Sequence, residues 1–490
     1  MTKSNFPSRR DAIKTMGIVS AAAVLPGVSA AVSEGAASEN VVGSEYRQAE
    51  TAPVISANRP SRAAFREELK RRIDATPLVD SHEHLCDEQE RFNGPKSWVN
   101  LLQHYFSDDF VSAGLDWNSV WGEQAQKEAP VELWRRIEPY WFAVKNTGYG
   151  QAVRIVLREL FGINRLEESV IPELQKRYEE NLTVGLYDRV LKQHANIESC
   201  QVDRGPYYES RHPELLLHDI NIVGMMTTDS LREIASRVGT TVKTLADAHE
   251  AIRLFFRKYA PYATAVKSQI AYSRGLDFEQ VPPERAEEPF QKKWEGKPVS
   301  PEEVKWLQDH LFWFCVQQAD EHRLPVKLHT GYYVGNNSMP LSRLSQNPAQ
   351  MTDLCLRSKK TRWVFMHTCY PYSRELIAIA KQFSNAYVQT CWAWIIDPPG
   401  TKNFLKQYLA TAPANKIHVF GGDYGTVENV LGHARIARNG VFAALAELVE
   451  EDYLERDDAL ELVEPLLRGN ARRMFDLETK YEAAKHVPWQ

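Results

Sequence analysis

Residues 76–85, Thr-Pro-Leu-Val-Asp-Ser-His-Glu-His-Leu, decide the fold. Pro77 opens the stretch, Leu78 and Val79 give it an apolar centre, and Asp80 to His84 close it with polar side chains. This is the pattern of a short buried strand that runs into a functional loop. His82 and His84 are two apart, so on extended backbone both imidazoles point to one side and Glu83 points to the other. The spacing differs from the helical His-Glu-x-x-His motif, where the two ligands lie four apart. Two imidazoles side by side at a strand end can grip one metal ion.

Working outward, the same pattern recurs. Residues 61–73 before it read as a helix, and an aromatic-rich stretch after it, residues 88–193, has helical spacing. Short apolar runs then appear at 197–202, 220–227, 264–267, 325–329, 363–367, 386–390 and 417–423, separated by amphipathic, helix-length segments. With the first strand they make eight. Alternating strand and helix implies a parallel sheet, and eight units predict an α/β protein built as a closed (β/α)8 TIM barrel, with 88–193 as a large helical insertion after strand 1. The barrel is expected over 59–476, with 477–490 as a tail. Residues 278–301, rich in Glu, Pro and Lys, are expected to be an exposed insertion between strands four and five.

The polar residues fall where a barrel collects them. Asp203, Thr227, Lys267, His329, His367 and Asp423 all follow apolar runs, at strand C-termini that meet at one mouth. The order His-x-His, Lys, His, His, Asp resembles the amidohydrolase superfamily, in which these residues come from strands one, four, five, six and eight. The resemblance extends from about residue 76 to about 476.

It implies that His82 and His84 bind a divalent metal, and that Asp423 ligates the ion or takes a proton from its water. His329 and His367 would complete one or two metal sites. Lys267 would either bridge two ions as a carbamate or, unmodified, bind a substrate carboxylate. Zn²⁺ is the expected ion for imidazole and carboxylate donors, with Mn²⁺, Fe²⁺ and Ni²⁺ also compatible. Asp423, Lys267 and His367 are the expected catalytic residues. Arg274 is read as a carboxylate or phosphate clamp, and Tyr332, Tyr424 and Glu428 as lining the pocket.

The first expectation for chemistry is metal-dependent hydrolysis of an amide, ester or lactone. The second is sugar-acid isomerisation, because Asn146-Thr147-Gly148-Tyr149 leading to Leu160-Phe161-Gly162-Ile163 resembles uronate isomerases; Lys267 and Gly421-Gly422-Asp423-Tyr424 depart from that family. A decarboxylase and a non-catalytic, metal-stabilised binding protein are further alternatives. The expected partner is a small molecule, carboxylated or sugar-derived, and self-association is expected from the resemblance alone. The remaining histidines, including His104, His194, His218, His310, His322 and His433, are read as structural.

Bulk properties set the frame. A chain of 490 residues, 43% hydrophobic, has ample material for a large core. Its net charge of −5 carries no basic excess to track a phosphate backbone, which argues against nucleic acid. Arg9-Arg10, an apolar run over 16–28 and the small-residue site Val28-Ser29-Ala30 resemble a twin-arginine signal over 1–30, followed by a linker over 31–58. The expectation is a periplasmic or secreted protein with no membrane segment in its mature form. The six cysteines lack paired spacing and read mostly as buried free thiols, with Cys200, Cys369 and Cys391 near strand ends as metal-ligand candidates.

Overall fold

The apolar runs become parallel strands in the computed structural model, which describes residues 61–489 apart from residue 121 and residues 336–338. They are β1 (Leu78–Glu83), β2 (Ile197–Val202), β3 (Leu216–His218), β4 (Ile220–Asn221), β5 (Val266–Ser268), β6 (Val326–Leu328), β7 (Trp363–Phe365), β8 (Ala386–Gln389) and β9 (Ile417–His418). The order is β1-β2-β3 and then β4-β5-β6-β7-β8-β9. β3 and β4 are two halves of one stave, interrupted at Asp219, with β3 paired to β2 and β4 to β5. The ring closes where the segment after β9 meets β1: Ser81 N donates to Phe420 O (3.1 Å), Asp423 N to His82 O (3.0 Å) and His84 N to Tyr424 O (3.0 Å). The result is an eight-stave barrel whose strands are buried on both faces, as a parallel sheet wrapped by helices requires. Residues 1–30 and 31–58, expected as a twin-arginine signal and a linker, lie outside the described residues.

Between β1 and β2 the chain is helical, with its longest helices at Pro130–Val144, Gly148–Phe161 and Ile171–Asn181. This region is tied to the segments that follow β8 and β9. Asn429 Nδ2 donates to Leu101 O (3.1 Å), Arg91 pairs with buried Glu428 (3.1 Å), and the Trp392 indole N–H donates to the Tyr149 hydroxyl. Glu428 is therefore spent on an ion pair with Arg91 and is not available to line a pocket.

Three expectations change. The run 220–227 does not stay extended: β4 stops at Asn221, whose Oδ1 accepts from Val223 N (3.0 Å) and turns the chain into the helix Val223–Met226. Thr227 consequently caps a helix, its hydroxyl on Val223 O (3.0 Å), and is not at a strand end. Residues 278–301 are exposed over much of their length, as expected, but they are partly helical and anchored to the barrel. They contain the helix Pro283–Trp294, which buries Ala286, Pro289 and Phe290, and Phe278 stacks on Phe312 with centroids 3.6 Å apart. After 476 comes the helix Leu477–Ala484, whose two end residues join a buried cluster with Val79, Leu217, Ala265 and Val364.

Inside the barrel lies a polar layer that the apolar pattern hid. The Lys327 ammonium, fully buried on β6, donates to Ser81 O (2.8 Å), Gln201 Oε1 (2.5 Å) and Asp219 Oδ2 (2.8 Å), and Gln389 Nε2 donates to Ser81 O (2.9 Å). Two residues further on, just past the end of β6, comes His329. The strand period places both side chains on the interior side, one layer apart.

Candidate metal centre

His82 leaves β1 on the inner side, as the two-residue spacing requires, and His84 follows it. Their Nε2 atoms lie 3.3 and 3.1 Å from Asp423 Oδ1, so the three side chains form a group that can hold a metal ion. His82 and Asp423 are buried, and His84 is about a third exposed. His84 Nδ1 faces Asp203 O at 3.1 Å, and this contact turns Nε2 toward Asp423. Both ring nitrogens of His82 are buried without a hydrogen-bond partner among the described residues. Buried polar groups are seldom left so. An imidazole nitrogen facing a carboxylate oxygen at 3.3 Å without good hydrogen-bond geometry fits a cation held between them.

Burial alone would raise the Asp423 carboxyl, but the imidazoles of His82 and His84 outweigh it and hold the group well below the usual carboxylate range. Burial, reinforced by the Lys267 charge, keeps His82 neutral. Neutral imidazole and ionised carboxylate are the forms in which these side chains bind metal.

The turn carrying Asp423 is fixed from beneath. Asp80 Oδ1 accepts from the backbone N–H groups of His82 and Gly422 (3.2 Å each), and Glu83 Oε2 accepts from Tyr424 N (2.6 Å). Glu83 therefore faces away from the imidazoles, as expected. A Cβ on Gly422 would lie 1.7 Å from Glu83 Oε1, so only glycine lets the carboxylate reach under the turn. Burial pushes Asp80 up to about 6 and Glu83 well above its usual range, the neighbouring carboxyl adding to the latter. The two carboxyls side by side share a proton.

His329 and His367 meet at the same mouth. Three contacts run in a chain: Tyr332 O to His329 Nε2 (2.8 Å), His329 Nδ1 to His367 Nε2 (2.9 Å), and His367 Nδ1 to Cys391 O (3.1 Å). Burial lowers both histidines, His367 to about 4. Two neutral rings bring two N–H groups to three contacts, so one contact faces lone pair to lone pair. His367 Nδ1 also lies 4.0 Å from Asp423 Oδ2, and His367, Cys391 and Asp423 form a second group able to hold a metal ion. Lys267 is buried with Nζ 3.6 Å from Asp203 Oδ2, a contact that suits an ammonium; Asp203 also accepts from Asn221 Nδ2 (2.7 Å).

Of the expected lining residues, Tyr332 packs against Trp392 (5.5 Å), which in turn packs on His367 (5.4 Å). Tyr424 is fully buried, its hydroxyl without a partner among the described residues, and its ring lies 5.9 Å from that of His104. Arg274 is committed elsewhere: its guanidinium pairs with buried Asp309 (2.7 Å) and lies over the Phe278 ring, so it is not a free anion clamp.

Sequence reasoning missed His104, whose ring centroid is 6.3 Å from that of His84 and 3.8 Å from that of Tyr105. Burial, with His84 nearby, pushes His104 down to about 3, and its Nδ1 has no partner among the described residues. Tyr105 packs on Trp392 (4.5 Å). Both residues lie in the insertion between helical segments, where periodicity carries no signal for a site. The one clue was that the insertion springs from the strand bearing His82. All six cysteines are free thiols.

An amidohydrolase family model matches residues 297–477. A uronate isomerase from Rhizobium meliloti is 22% identical over 459 residues, covering 84% of this chain and 96% of that protein. Protein fluG from Emericella nidulans is 24% identical over 240 residues, which cover 46% of this chain and about a quarter (27%) of that protein's length. Among solved structures, the glucuronate isomerase from Caulobacter crescentus superposes with a TM-score of 0.71 at 19% identity over 86% of this chain and 95% of its own. The uronate isomerase from Thermotoga maritima gives 0.70 at 16% over 84% and 97%. The chain has the TIM-barrel fold of these structures, and its C-terminal part is similar to the amidohydrolase family.

Proposed function

We propose that the protein is a metal-dependent hydrolase acting on an amide, ester or lactone of a small molecule at the mouth of the barrel. The observation that carries the reading is the His82–His84–Asp423 group, in which two imidazoles and one ionised carboxylate converge at 3.1–3.3 Å. A divalent ion bound there, Zn²⁺ by donor type, supplies Lewis acidity and lowers the pKa of water.

The chain's own residues do the rest. Asp423, kept ionised, takes the proton of the attacking water and returns it to the leaving group. His104 and Tyr105, beside His84 and Trp392, offer a neutral imidazole and a phenol to the substrate's polar groups. Lys267, buried next to Asp203, supplies positive charge where a substrate carboxylate could approach. Trp392 and Tyr332 supply apolar walls for an uncharged face. The protein is exported, a reading supported by the resemblance of residues 1–30 to a twin-arginine signal.

A second reading is uronate-type isomerisation. The uronate isomerase alignments run over more than four-fifths of the chain, through the helical insertion, and this favours it. Against it stands Lys267 on β5. One experiment separates the two: the Zn²⁺-loaded protein is assayed on lactones, dipeptides and uronates, with and without chelator. Chelator-sensitive release of a new carboxyl group is expected. Ketose formation from an aldouronate would establish the second reading, and metal uptake without turnover on any substrate would leave a binding protein.

A further inference from the structure

Cys391 follows β8 and is fully buried. Its thiol makes no hydrogen bond among the described residues. It lies inside the barrel because residue 421, on the neighbouring stave, is glycine: a Cβ there would sit 2.9 Å from Cys391 Sγ and 2.8 Å from its Cβ. The sulfur, a ring nitrogen of His367 and a carboxylate oxygen of Asp423 all lie within 4.8 Å of one another. Donors around a tetrahedral Zn²⁺ stand about 3.4 to 3.8 Å apart, given Zn–N and Zn–O near 2.1 Å and Zn–S near 2.3 Å. Closing the gap takes shifts of an ångström or less.

A second observation points the same way. Asp423 presents Oδ1 to His82 and His84 and Oδ2 to His367, 4.0 Å away. The His82 ring nitrogens, wholly buried, make no hydrogen bond among the described residues, Nε2 having only its 3.3 Å contact with Asp423. The mouth is thus crowded with lone pairs on the His82, His367, Cys391 and Asp423 side chains.

The geometry points to Cys391 as a thiolate ligand of the metal centre, acting with His367 and Asp423 beside the His82–His84 pair. The inference rests on the metal reading above and extends it. On binding, the S–H bond is replaced by a sulfur–metal bond and the proton leaves to solvent, with no change of oxidation state. A second anion beside Asp423 balances the charge of a divalent cation. The soft sulfur also favours Zn²⁺ over Mg²⁺, Ca²⁺ or Mn²⁺, which prefer oxygen.

The test is X-ray absorption at the zinc edge on the full-length protein loaded with Zn²⁺, with Co²⁺-substituted protein read in parallel by absorbance. A sulfur scatterer at about 2.3 Å is expected, together with a thiolate-to-cobalt charge-transfer band. The band should vanish in Cys391→Ser and survive in Cys200→Ser. A zinc shell of nitrogen and oxygen only, or a band that persists in Cys391→Ser, overturns the assignment and leaves the metal reading intact. Failure of the wild-type protein to take up either ion overturns both. The absorption measurement on wild type stands even if Cys391→Ser does not fold.

Discussion

Two buried polar layers sit one above the other inside the same barrel, and they are finished differently. The lower one brings its own cation. Lys327 is held by Ser81 O, Gln201 and Asp219, and Thr264 occupies the other oxygen of Asp219 (2.7 Å). The upper one, two residues along the staves, has imidazoles, a carboxylate and a thiol. Its one buried ammonium, among the described residues, is Lys267, 3.6 Å from Asp203. The backbone shows the same contrast. His367, Thr368, Cys369, Trp392 and Asp423 all have positive φ, between 51° and 65°, a costly conformation for residues with side chains. The lower layer is closed by the chain's own lysine; the upper one gathers side chains of the metal-ligating kind on strained backbone.

The largest effect that could break this contrast is on turnover. Asp423→Asn removes an anion from the upper layer and should lower kcat roughly 10³- to 10⁴-fold, with the circular dichroism spectrum and cooperative unfolding retained. Near-normal turnover would remove Asp423 from the chemistry. The lower layer should respond in the opposite way. Lys327→Met leaves Asp219 charged and unpaired in the interior and should destabilise the fold by about 3 to 5 kcal/mol, read by denaturant unfolding. Lys327→Met with Asp219→Asn should recover much of that loss, because neither charge is then stranded. Equal damage from the single and double variants would show that the layer is not held by this pair.

The layers also bear on how much of this molecule was legible in its sequence. The eight apolar runs announce the barrel because its strands are buried on both faces, and His82, His84 and Asp423 stand out because strand ends gather at one mouth. Lys327 lay inside an apolar run, and no spacing marks its partners Gln201 and Asp219, which come from β2 and the β3–β4 junction. His104 and Tyr105 were invisible for another reason: they reach the mouth through helix packing, not through strand period. Thr227 misled because β-branched and apolar residues continue past Asn221, where a side-chain hydrogen bond had already turned the chain. Arg274 looked like a clamp until Asp309, from the helix Pro301–Glu321, took it up.

A smaller effect concerns ligand linkage. Zn²⁺ at a hundred times its dissociation constant should stabilise the wild-type protein by about 2.7 kcal/mol, seen as a rise in thermal midpoint. His82→Ala should abolish the rise, whereas Lys327→Met should lower the starting midpoint and keep the rise. Loss of the rise in both variants would mean that the layers are not independent.

The smallest expected effect is a pH slope from Lys480, in the helix Leu477–Ala484. Burial lowers it to about 8 from 10.5, and its ammonium donates to Ala260 O (2.8 Å) and Pro261 O (3.2 Å). Between those two values the unfolded chain holds a proton that the folded one has released, so the unfolding free energy should rise with pH across that window. The cost of burying the charge is fully present below the folded value and is gone above the unfolded one. A gain on the order of 1 to 2 kcal/mol is expected, and Lys480→Met should flatten the slope. An unchanged slope in that variant would assign it to another group.

The central claim is that His82, His84 and Asp423 converge to hold a divalent ion, and the most direct test is to count the ion. Full-length protein and the His82→Ala/His84→Ala double variant, each shown to be folded, are equilibrated with Zn²⁺, freed of excess metal and analysed by inductively coupled plasma mass spectrometry. The account predicts at least one tightly held ion per wild-type chain and a deficit of one or more in the variant. A wild-type chain with no bound metal, or a variant that retains the full wild-type count, would contradict it.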